Sequence, residues 1–284
     1  MSDRAVTALA VPSRRVEKPW GRRDLPAAFA DPADREPIGE IIFDPPTGVE
    51  SELLVKFLFT SEKLSIQVHP DDVAARAQGK RRGKDEAWIV LSAEAESTIG
   101  LGLTRKLSKE QLRAAALDGS LEALVDWRRT VAGDCHYSPA GTIHAIGPGL
   151  SLVEVQQNLD LTYRLYDYGR PRELHLEQAI DAARAEPALE ARPTREIGPG
   201  RKGLAQGPAF QVEQLAGARS GQLDPPDREL WLIALEGGGQ VAERDFGAGE
   251  VWYLDEGHPL KLNPGSRILI AYPGQFHCEV WRPD

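Results

Sequence analysis

Four polar side chains on separate short segments in the first half of the chain could together bind a metal ion. Gln67 and His69 lie two residues apart in the run 64–69 (LSIQVH), where apolar and polar residues alternate. An extended strand places alternate side chains on opposite faces, so Gln67 and His69 would face the same way. Glu86 opens the run EAWIVL, and His144 follows a Pro-Ala-Gly turn. The segments are short enough for a small β-barrel to bring these four donors together.

The donor types indicate which ion such a site would bind. Two imidazoles, a carboxylate and an amide oxygen suit Zn²⁺, with Mn²⁺, Co²⁺ and Fe²⁺ as alternatives. The set contains no thiolate, which favours an open site with room for a substrate over a closed structural zinc site. Each residue also has a structural interpretation. Gln67 and His69 would line the wet face of an edge strand, Glu86 would pair with Lys84 on the surface, and His144 would hydrogen-bond within its turn.

The rest of the pattern indicates short strands and turns with a few helices. Residues 53–60 (LLVKFLFT) are almost continuously apolar, which predicts a strand buried on both faces. Ser108 and Gln111 have the spacing of a capping box, which predicts a helix. A second helix over 120–128 would complete a helical insertion at about 105–130. Further helices are predicted at 73–78 and 174–185.

The chain is predicted to form two domains. Residues 1–185 would hold the candidate metal ligands, after an irregular lead-in over 1–37 that is rich in proline and charge. Residues 186–209 contain many Pro, Gly and Arg residues and are predicted to be a linker. From 210 to 284, short apolar runs alternate with glycine-rich turns, which is typical of a β-sandwich or barrel.

Composition limits the partners and the cellular location. The 284 residues carry a formal net charge of -9, which makes nucleic acid an improbable partner, because its binding requires a basic face. The two cysteines form no CxxC motif and no disulfide framework. We find no signal peptide and no apolar run near the roughly 20 residues of a membrane helix. We therefore expect a cytoplasmic protein that binds neither nucleic acid nor membrane, and the oligomeric state stays open.

Several motifs in the same order resemble the type I mannose-6-phosphate isomerases of the cupin superfamily, in their short bacterial form. They cover roughly residues 18–185. The resemblance implies a mainly β fold, a double cupin-type (jelly-roll) β-barrel with a small helical insertion. It also implies one divalent metal ion, usually zinc, and a small phosphorylated sugar as substrate. The motifs are PWG at 19–21, QVHP at 67–70, GKDEAW at 83–88, AGTIHAIG at 140–147, EVQQN at 154–158 and TYRLYD at 162–167.

The resemblance also assigns roles to individual residues. It carries the metal-ligand positions to the four donors above, with Gln67 the least secure. Arg164 falls on the family's catalytic arginine, and Lys84 on its lysine before the metal-binding glutamate, as a catalytic or substrate-binding group. Ser65 becomes a candidate phosphate contact. His258 and His277 match no ligand spacing, so the second barrel is predicted to be a degenerate, structural one.

The implied reaction interconverts mannose 6-phosphate and fructose 6-phosphate through an enediol. Its barrier lies in removing a proton from carbon next to a carbonyl, so a base near C1 and C2 is required. The sequence leaves that base open between Lys84, a metal-bound water and another carboxylate. Two other functions remain. Two histidines and a carboxylate also hold Fe(II) in cupin oxygenases, and the second alternative is a non-catalytic cupin that binds sugar.

Overall fold

Antiparallel strands dominate the computed structural model, which describes residues 8–189 and 193–284. Residues 1–7, at the start of the predicted first domain, and 190–192, within the predicted linker, lie outside the described residues. The strands in the first part of the chain are β1 (Ala8–Ala10), β2 (Ser13–Arg22), β3 (Ile38–Phe43), β4 (Leu53–Thr60), β5 (Ile66–Val68), β6 (Glu86–Ala93), β7 (Thr98–Leu103), β8 (Val125–Arg129), β9 (Cys135–Ser138), β10 (His144–Ile146), β11 (Leu150–Gln157) and β12 (Tyr163–Tyr166).

The second part of the chain continues in the same manner. Four helices accompany the strands: α1 (Asp72–Ala77), α2 (Lys109–Asp118), α3 (Leu121–Leu124) and α4 (Leu176–Ala182). The remaining strands are β13 (Arg195–Gly198), β14 (Arg201–Gln206), β15 (Phe210–Ala216), β16 (Arg219–Leu223), β17 (Leu230–Glu236), β18 (Gly238–Val241), β19 (Arg244–Gly247), β20 (Val251–Leu254), β21 (His258–Leu262), β22 (Arg267–Pro273) and β23 (Trp281–Pro283), with a 3-10 turn at Pro226–Arg228.

These strands form four sheets, paired into two barrels. The first barrel combines the sheet β2-β3-β4-β11-β6-β9 with the sheet β12-β5-β10-β7-β8. The second barrel combines β1-β20-β17-β22-β15-β14-β13 with β19-β18-β21-β16-β23. The predicted double cupin-type barrel with few helices is thus confirmed.

The two barrels share a hydrophobic core between their larger sheets. On β4, Leu53, Val55 and Phe57 point into this core, where they meet side chains of the second barrel such as Trp231 and Phe210. The intervening residues of β4 face the interior of the first barrel, so the strand is buried on both faces, as its apolar sequence predicts. The larger sheet of the first barrel is therefore held rigidly between two packed layers.

The helices confirm most of the sequence-based expectations. Asp71 caps α1 by accepting a hydrogen bond from a backbone N–H, and Ser108 and Gln111 form the predicted capping box of α2. The predicted helix over 120–128 is wrong beyond Leu124, because Val125–Arg129 instead pairs with β7 as strand β8. Helices α2, α3 and α4 pack on the outer face of the smaller sheet of the first barrel.

Two of the expected irregular segments contain strands. Within the predicted linker 186–209, residues 195–206 form the hairpin β13–β14, which extends the larger sheet of the second barrel. The predicted lead-in over 1–37 contains β2, which pairs with β3, and β1, which pairs with β20 of the second barrel. The charged and small residues of these segments do not show the pattern of a strand, because the pairing of these strands depends on backbone hydrogen bonds. The first part of the chain thus contributes a strand to each barrel.

Helix length bears on the membrane prediction. Among residues 8–189 and 193–284, no helix is both long and apolar enough to span a membrane.

Candidate metal centre

Neighbouring strands of the first barrel bring the predicted metal ligands together. Gln67 on β5 is paired directly with His144 on β10, and His69 follows the end of β5. Glu86 opens β6 in the facing sheet. The smaller sheet therefore presents two imidazoles toward a carboxylate on the larger sheet, across the interior of the barrel.

Three of the predicted ligands form a compact cluster, which we call the ligand triad: His69, Glu86 and His144. Their donor atoms all lie within 4.8 Å of one another. His69 Nε2 is 3.2 Å from Glu86 Oε1, and His144 Nε2 is 3.3 Å from Glu86 Oε2. All three side chains are buried. Among the described residues, this is the only group of three or more His, Cys, Asp or Glu side chains that could hold a metal ion.

Backbone carbonyls orient both imidazole rings. His69 Nδ1 lies 2.9 Å from the carbonyl oxygen of Leu161, and His144 Nδ1 lies 2.9 Å from that of Thr142. A carbonyl oxygen only accepts hydrogen bonds, so each Nδ1 carries the proton and donates it. Each Nε2 is then left with a lone pair directed at the triad, which is the tautomer that a metal-binding histidine needs.

Burial and neighbouring charges set the protonation states of the triad. Burial, reinforced by the charge of Lys84, lowers the pKa of His69 to about 4. Burial likewise lowers the pKa of His144. Burial alone would raise the pKa of Glu86, but the charge of Lys84 outweighs it and holds that pKa well below its usual range. At neutral pH the triad thus consists of two neutral imidazoles and one carboxylate, the forms that bind a divalent metal.

The carboxylate of Glu86 fits a bound cation. Both of its oxygens are buried and neither receives a hydrogen bond of acceptable geometry. Lys84 Nζ does lie 2.7 Å from Oε1, and we take this as an ion pair, because the contact lacks the directions of a hydrogen bond. Buried carboxylates without hydrogen bonds are costly, so a cation between the three ligands would satisfy them.

Gln67 has a different relation to the site. Its Nε2 lies 3.3 Å from His144 Nε2, and its Oε1 accepts a hydrogen bond of 3.1 Å from Ser65 Oγ. In this orientation Gln67 donates to the lone pair of His144, and only rotation of the amide would present its oxygen to an ion. Its role as a metal ligand therefore stays a prediction.

The other predicted site residues line one cavity beside the triad. This cavity has a volume of about 550 Å³ and includes Ser65, Lys84 and Arg164 in its wall. Arg164 on β12 is paired with Gln67 on β5, so its guanidinium lies one strand away from the ligands. Lys84 Nζ lies 3.4 Å from His69 Nε2, which places the ammonium group at the triad itself. The roles of these three residues remain predictions.

The cavity also contains charged residues that the sequence analysis did not assign. Glu154 on β11 and Lys56 on β4 form a buried ion pair of 3.3 Å, and Trp88 Nε1 donates a hydrogen bond of 3.1 Å to Glu154. Burial raises the pKa of Glu154. Arg14 and Lys18 reach the same cavity from β2. One sequence signal for such a residue is a single charge in an otherwise apolar strand, as Lys56 is in LLVKFLFT.

The interior of the second barrel is different. Apolar side chains such as Trp252, Leu260 and Tyr272 fill it. His258 and His277, for which no ligand spacing was found, are absent from the single metal-ligand cluster within the described residues. Two cupin-type barrels, of which the first holds a buried His-Glu-His triad beside a polar cavity, define the class of this protein as a cupin with a candidate metal centre.

Comparison with known proteins identifies the family within this class. No protein-family model matches the chain. The chain is 44% identical over 135 residues to a mannose-6-phosphate isomerase of Streptococcus mutans, an alignment that covers 45% of this chain and 42% of that protein. It is 37% identical over 252 residues to the "probable mannose-6-phosphate isomerase GmuF" of Bacillus subtilis, an alignment that covers 84% of this chain and 75% of that protein.

A solved structure agrees with these relatives. The mannose 6-phosphate isomerase of Bacillus subtilis superposes with a TM-score of 0.79 at 26% identity, covering 94% of this chain and 100% of that one. The chain belongs to the mannose-6-phosphate isomerase family.

Proposed function

We propose that this chain is a metal-dependent aldose–ketose isomerase that interconverts mannose 6-phosphate and fructose 6-phosphate through an enediol. The observation that carries the proposal is the ligand triad beside a cavity whose wall contains Glu86 together with Lys84, Lys56 and Arg164. A metal centre beside several cations suits a substrate that is both polyhydroxylated and anionic.

Zn²⁺ is the ion that we propose for the triad, with Mn²⁺, Co²⁺ and Fe²⁺ as alternatives. His69, Glu86 and His144 would hold it, and Gln67 would join them if its amide oxygen faces the ion. Three protein ligands leave a position open, which is typical of catalytic zinc sites. When bound, the ion supplies Lewis-acid stabilisation for the negative charge that develops on the sugar oxygens.

The residues of the chain would bind and orient the sugar phosphate. Arg164 carries a permanent positive charge on a planar group with several N–H donors, which suits a phosphate or an enediolate. Ser65 would add a neutral donor on the same side of the cavity. Lys84 contacts Glu86 and His69, and this position favours a role at the reacting carbons over one at the phosphate.

Glu154 is the group that we propose as the base for the proton on carbon. It is a cavity carboxylate outside the ligand triad, and its contact with Lys56 offers a partner for proton exchange. Burial raises its pKa, which brings a carboxylate closer to the range in which it both accepts and returns a proton at neutral pH.

The location is part of the same proposal. Cys135 and Cys278 are both free thiols, which supports the expected cytoplasmic location, where thiols remain reduced.

The test is an isomerase assay on the purified chain. Loaded with Zn²⁺ and offered a panel of aldose phosphates and free aldoses, it should interconvert mannose 6-phosphate and fructose 6-phosphate. A chelator should abolish the activity and added Zn²⁺ should restore it. A folded, metal-loaded chain with no isomerase activity would overturn the proposal. Oxygen uptake with Fe²⁺ would then point to an oxygenase, and tight sugar binding without turnover to a sugar-binding cupin.

A further inference from the structure

Asp85 lies between Lys84 and Glu86 but serves the opposite side of the sheet. Along β6, Glu86 lines the cavity, whereas Ala87 points into the hydrophobic core between the two barrels. Asp85 precedes Ala87 by two residues and shares its side. Asp85 is also buried, with 6% of its surface exposed, so its carboxylate depends on protein partners.

The partners of this carboxylate belong to the strand and turn that lead to His144. Asp85 Oδ2 accepts a hydrogen bond of 2.5 Å from the hydroxyl of Tyr137, at the end of β9. Asp85 Oδ1 accepts one of 2.8 Å from the backbone N–H of Ala140, in the turn that precedes His144. One side chain thus joins the residue before Glu86 to the turn before His144.

The segment that contains His69 is tied to the same turn. The N–H of Gly141 donates a hydrogen bond of 2.9 Å to the carbonyl of His69. The N–H of Lys84 donates one of 3.1 Å to the carbonyl of Pro70. Together with the Asp85 side chain, these two backbone hydrogen bonds connect the three segments that carry His69, Glu86 and His144.

Tyr137 extends this network to the second barrel. Its ring packs on Phe210 of β15 with the ring centroids 5.3 Å apart. It also occupies the space beside Gly207, between β14 and β15, where an added Cβ would lie only 1.8 Å from Tyr137 Cζ. Burial, together with the charge of Asp85, raises the pKa of Tyr137, so the hydroxyl stays protonated and donates.

We propose that Asp85 and Tyr137 are positioning residues of the metal centre, through which the second barrel fixes the spacing of the ligand triad. The inference rests on the proposed metal site and extends it, because it gives the second barrel a part in metal binding although that barrel supplies no ligand. Hydrogen-bonded groups behind the ligands hold them in place, and their loss typically weakens metal binding about 10- to 100-fold.

The first test measures Zn²⁺ affinity of the full chain by competition with a chromophoric chelator. Asp85→Ala should weaken binding by about 10- to 100-fold. Tyr137→Phe removes only the hydroxyl and should weaken it by less. Asp85→Asn retains an acceptor oxygen for Ala140 and should recover most of the affinity, which a loss of fold would not allow.

The second test acts from the second barrel alone. Gly207→Ala places a methyl group against the ring of Tyr137 and should displace its hydroxyl from Asp85, which weakens Zn²⁺ binding several-fold. In a Tyr137→Ala background the collision is absent, so Gly207→Ala should then have no further effect. With Co²⁺ in place of Zn²⁺, the visible absorption bands should shift in Asp85→Ala and Gly207→Ala, because they report ligand geometry.

Glu229→Gln is the matched control. Glu229 is also buried and also bridges the barrels, through hydrogen bonds from Ser51 and the N–H groups of Glu52 and Leu53. It makes no contact with the triad network, so Glu229→Gln should lower the melting temperature and leave Zn²⁺ affinity unchanged.

The outcomes separate this inference from the proposed function. Wild-type Zn²⁺ affinity and Co²⁺ spectrum in both Asp85→Ala and Gly207→Ala, in a chain that binds Zn²⁺ and isomerises its substrate, would overturn the positioning role alone. A wild-type chain that binds no Zn²⁺ would overturn the metal centre together with this inference.

Discussion

Burial and the charge of Lys84 together decide the charge of each residue in the ligand triad. An exposed histidine and glutamate would exchange protons with solvent near their ordinary pKa values. Here burial holds His69 and His144 neutral, while Lys84 keeps Glu86 ionised despite burial. Burying a carboxylate that accepts no hydrogen bond is costly, and we propose that a cation held between the three ligands offsets this cost.

Glu86→Gln should lose stoichiometric metal and retain the fold. The substitution keeps the size of the side chain but removes the only anionic ligand of the triad, so the attraction for a divalent ion falls. Elemental analysis of the purified variant measures the metal content, and circular dichroism checks the fold. A normal metal content would contradict the assignment of Glu86 as a ligand.

Arg164→Lys should lower kcat by about 100-fold or more, by analogy with the loss of one preorganised charge-stabilising group. Lysine keeps the charge but not the planar fork of donors. Steady-state kinetics measures the effect, with metal content as the control because Arg164 lies outside the triad. Turnover close to wild type would refute a catalytic role.

Glu154→Gln should lower kcat by about 100-fold or more, the range typical of a lost general base. Its metal content should stay that of the wild type, since Glu154 is not in the triad. Exchange of the C2 proton of the substrate with D₂O provides a direct measurement. If exchange continues at the wild-type rate, another group is the base.

Strand alternation explains how single elements serve two environments. On β11, Glu154 faces the cavity while its neighbours Val153 and Val155 pack in the core between the barrels. β4 is divided in the same way around Lys56. Both strands are therefore fixed by packing on one face while they hold charged groups on the other, which preorganises the cavity.

We expect the helical insertion to serve as scaffold, and its contribution to stability is measurable. Ser108→Ala removes the N-cap hydrogen bond of α2 and one half of its capping box. It should cost about 1 kcal/mol of the free energy of unfolding, measured with urea. Ser108→Asp, which retains a cap, is the control. Isomerase activity per folded molecule should be unchanged in both, and a large loss of kcat would assign the insertion a role at the site.

The whole molecule consists of two similar barrels with different interiors. The first barrel has a polar cavity, whereas the second is filled by an apolar core. We propose that this difference divides the work: the first barrel holds metal and substrate, and the second supports it through the shared core between the larger sheets.

The double variant His258→Ala with His277→Ala should retain isomerase activity. His277 Nδ1 contacts the buried Glu213 at 2.6 Å, so we expect some loss of stability. Activity per folded molecule, with folding checked by thermal denaturation, is the measurement. A folded double variant with a large loss of turnover would contradict a supporting role for the second barrel.

The candidate ligands, the family resemblance and much of the fold are predictable from the sequence alone. Alternation around Gln67 and His69, the apolar run of β4 and the capping box of α2 are local patterns, and local backbone geometry decides them. The resemblance of ordered motifs supplied the double barrel and the proposed roles of Ser65, Lys84 and Arg164.

Other features of the fold and the site depend on contacts between distant segments, and these features appear only in the folded chain. The prolines and charges of the lead-in over 1–37 predict an irregular segment, yet it contains β2, whose Arg14 and Lys18 line the cavity. Pairing with β7 makes Val125–Arg129 a strand, so the predicted second helix of the insertion ends at Leu124. The tautomers of His69 and His144 depend on carbonyl groups that the fold places beside them. The link from Asp85 through Tyr137 to the second barrel also depends on the fold. The hydrogen bonds from His69 to Leu161 and from Tyr137 to Asp85 join residues far apart in the chain, so no local pattern contains them.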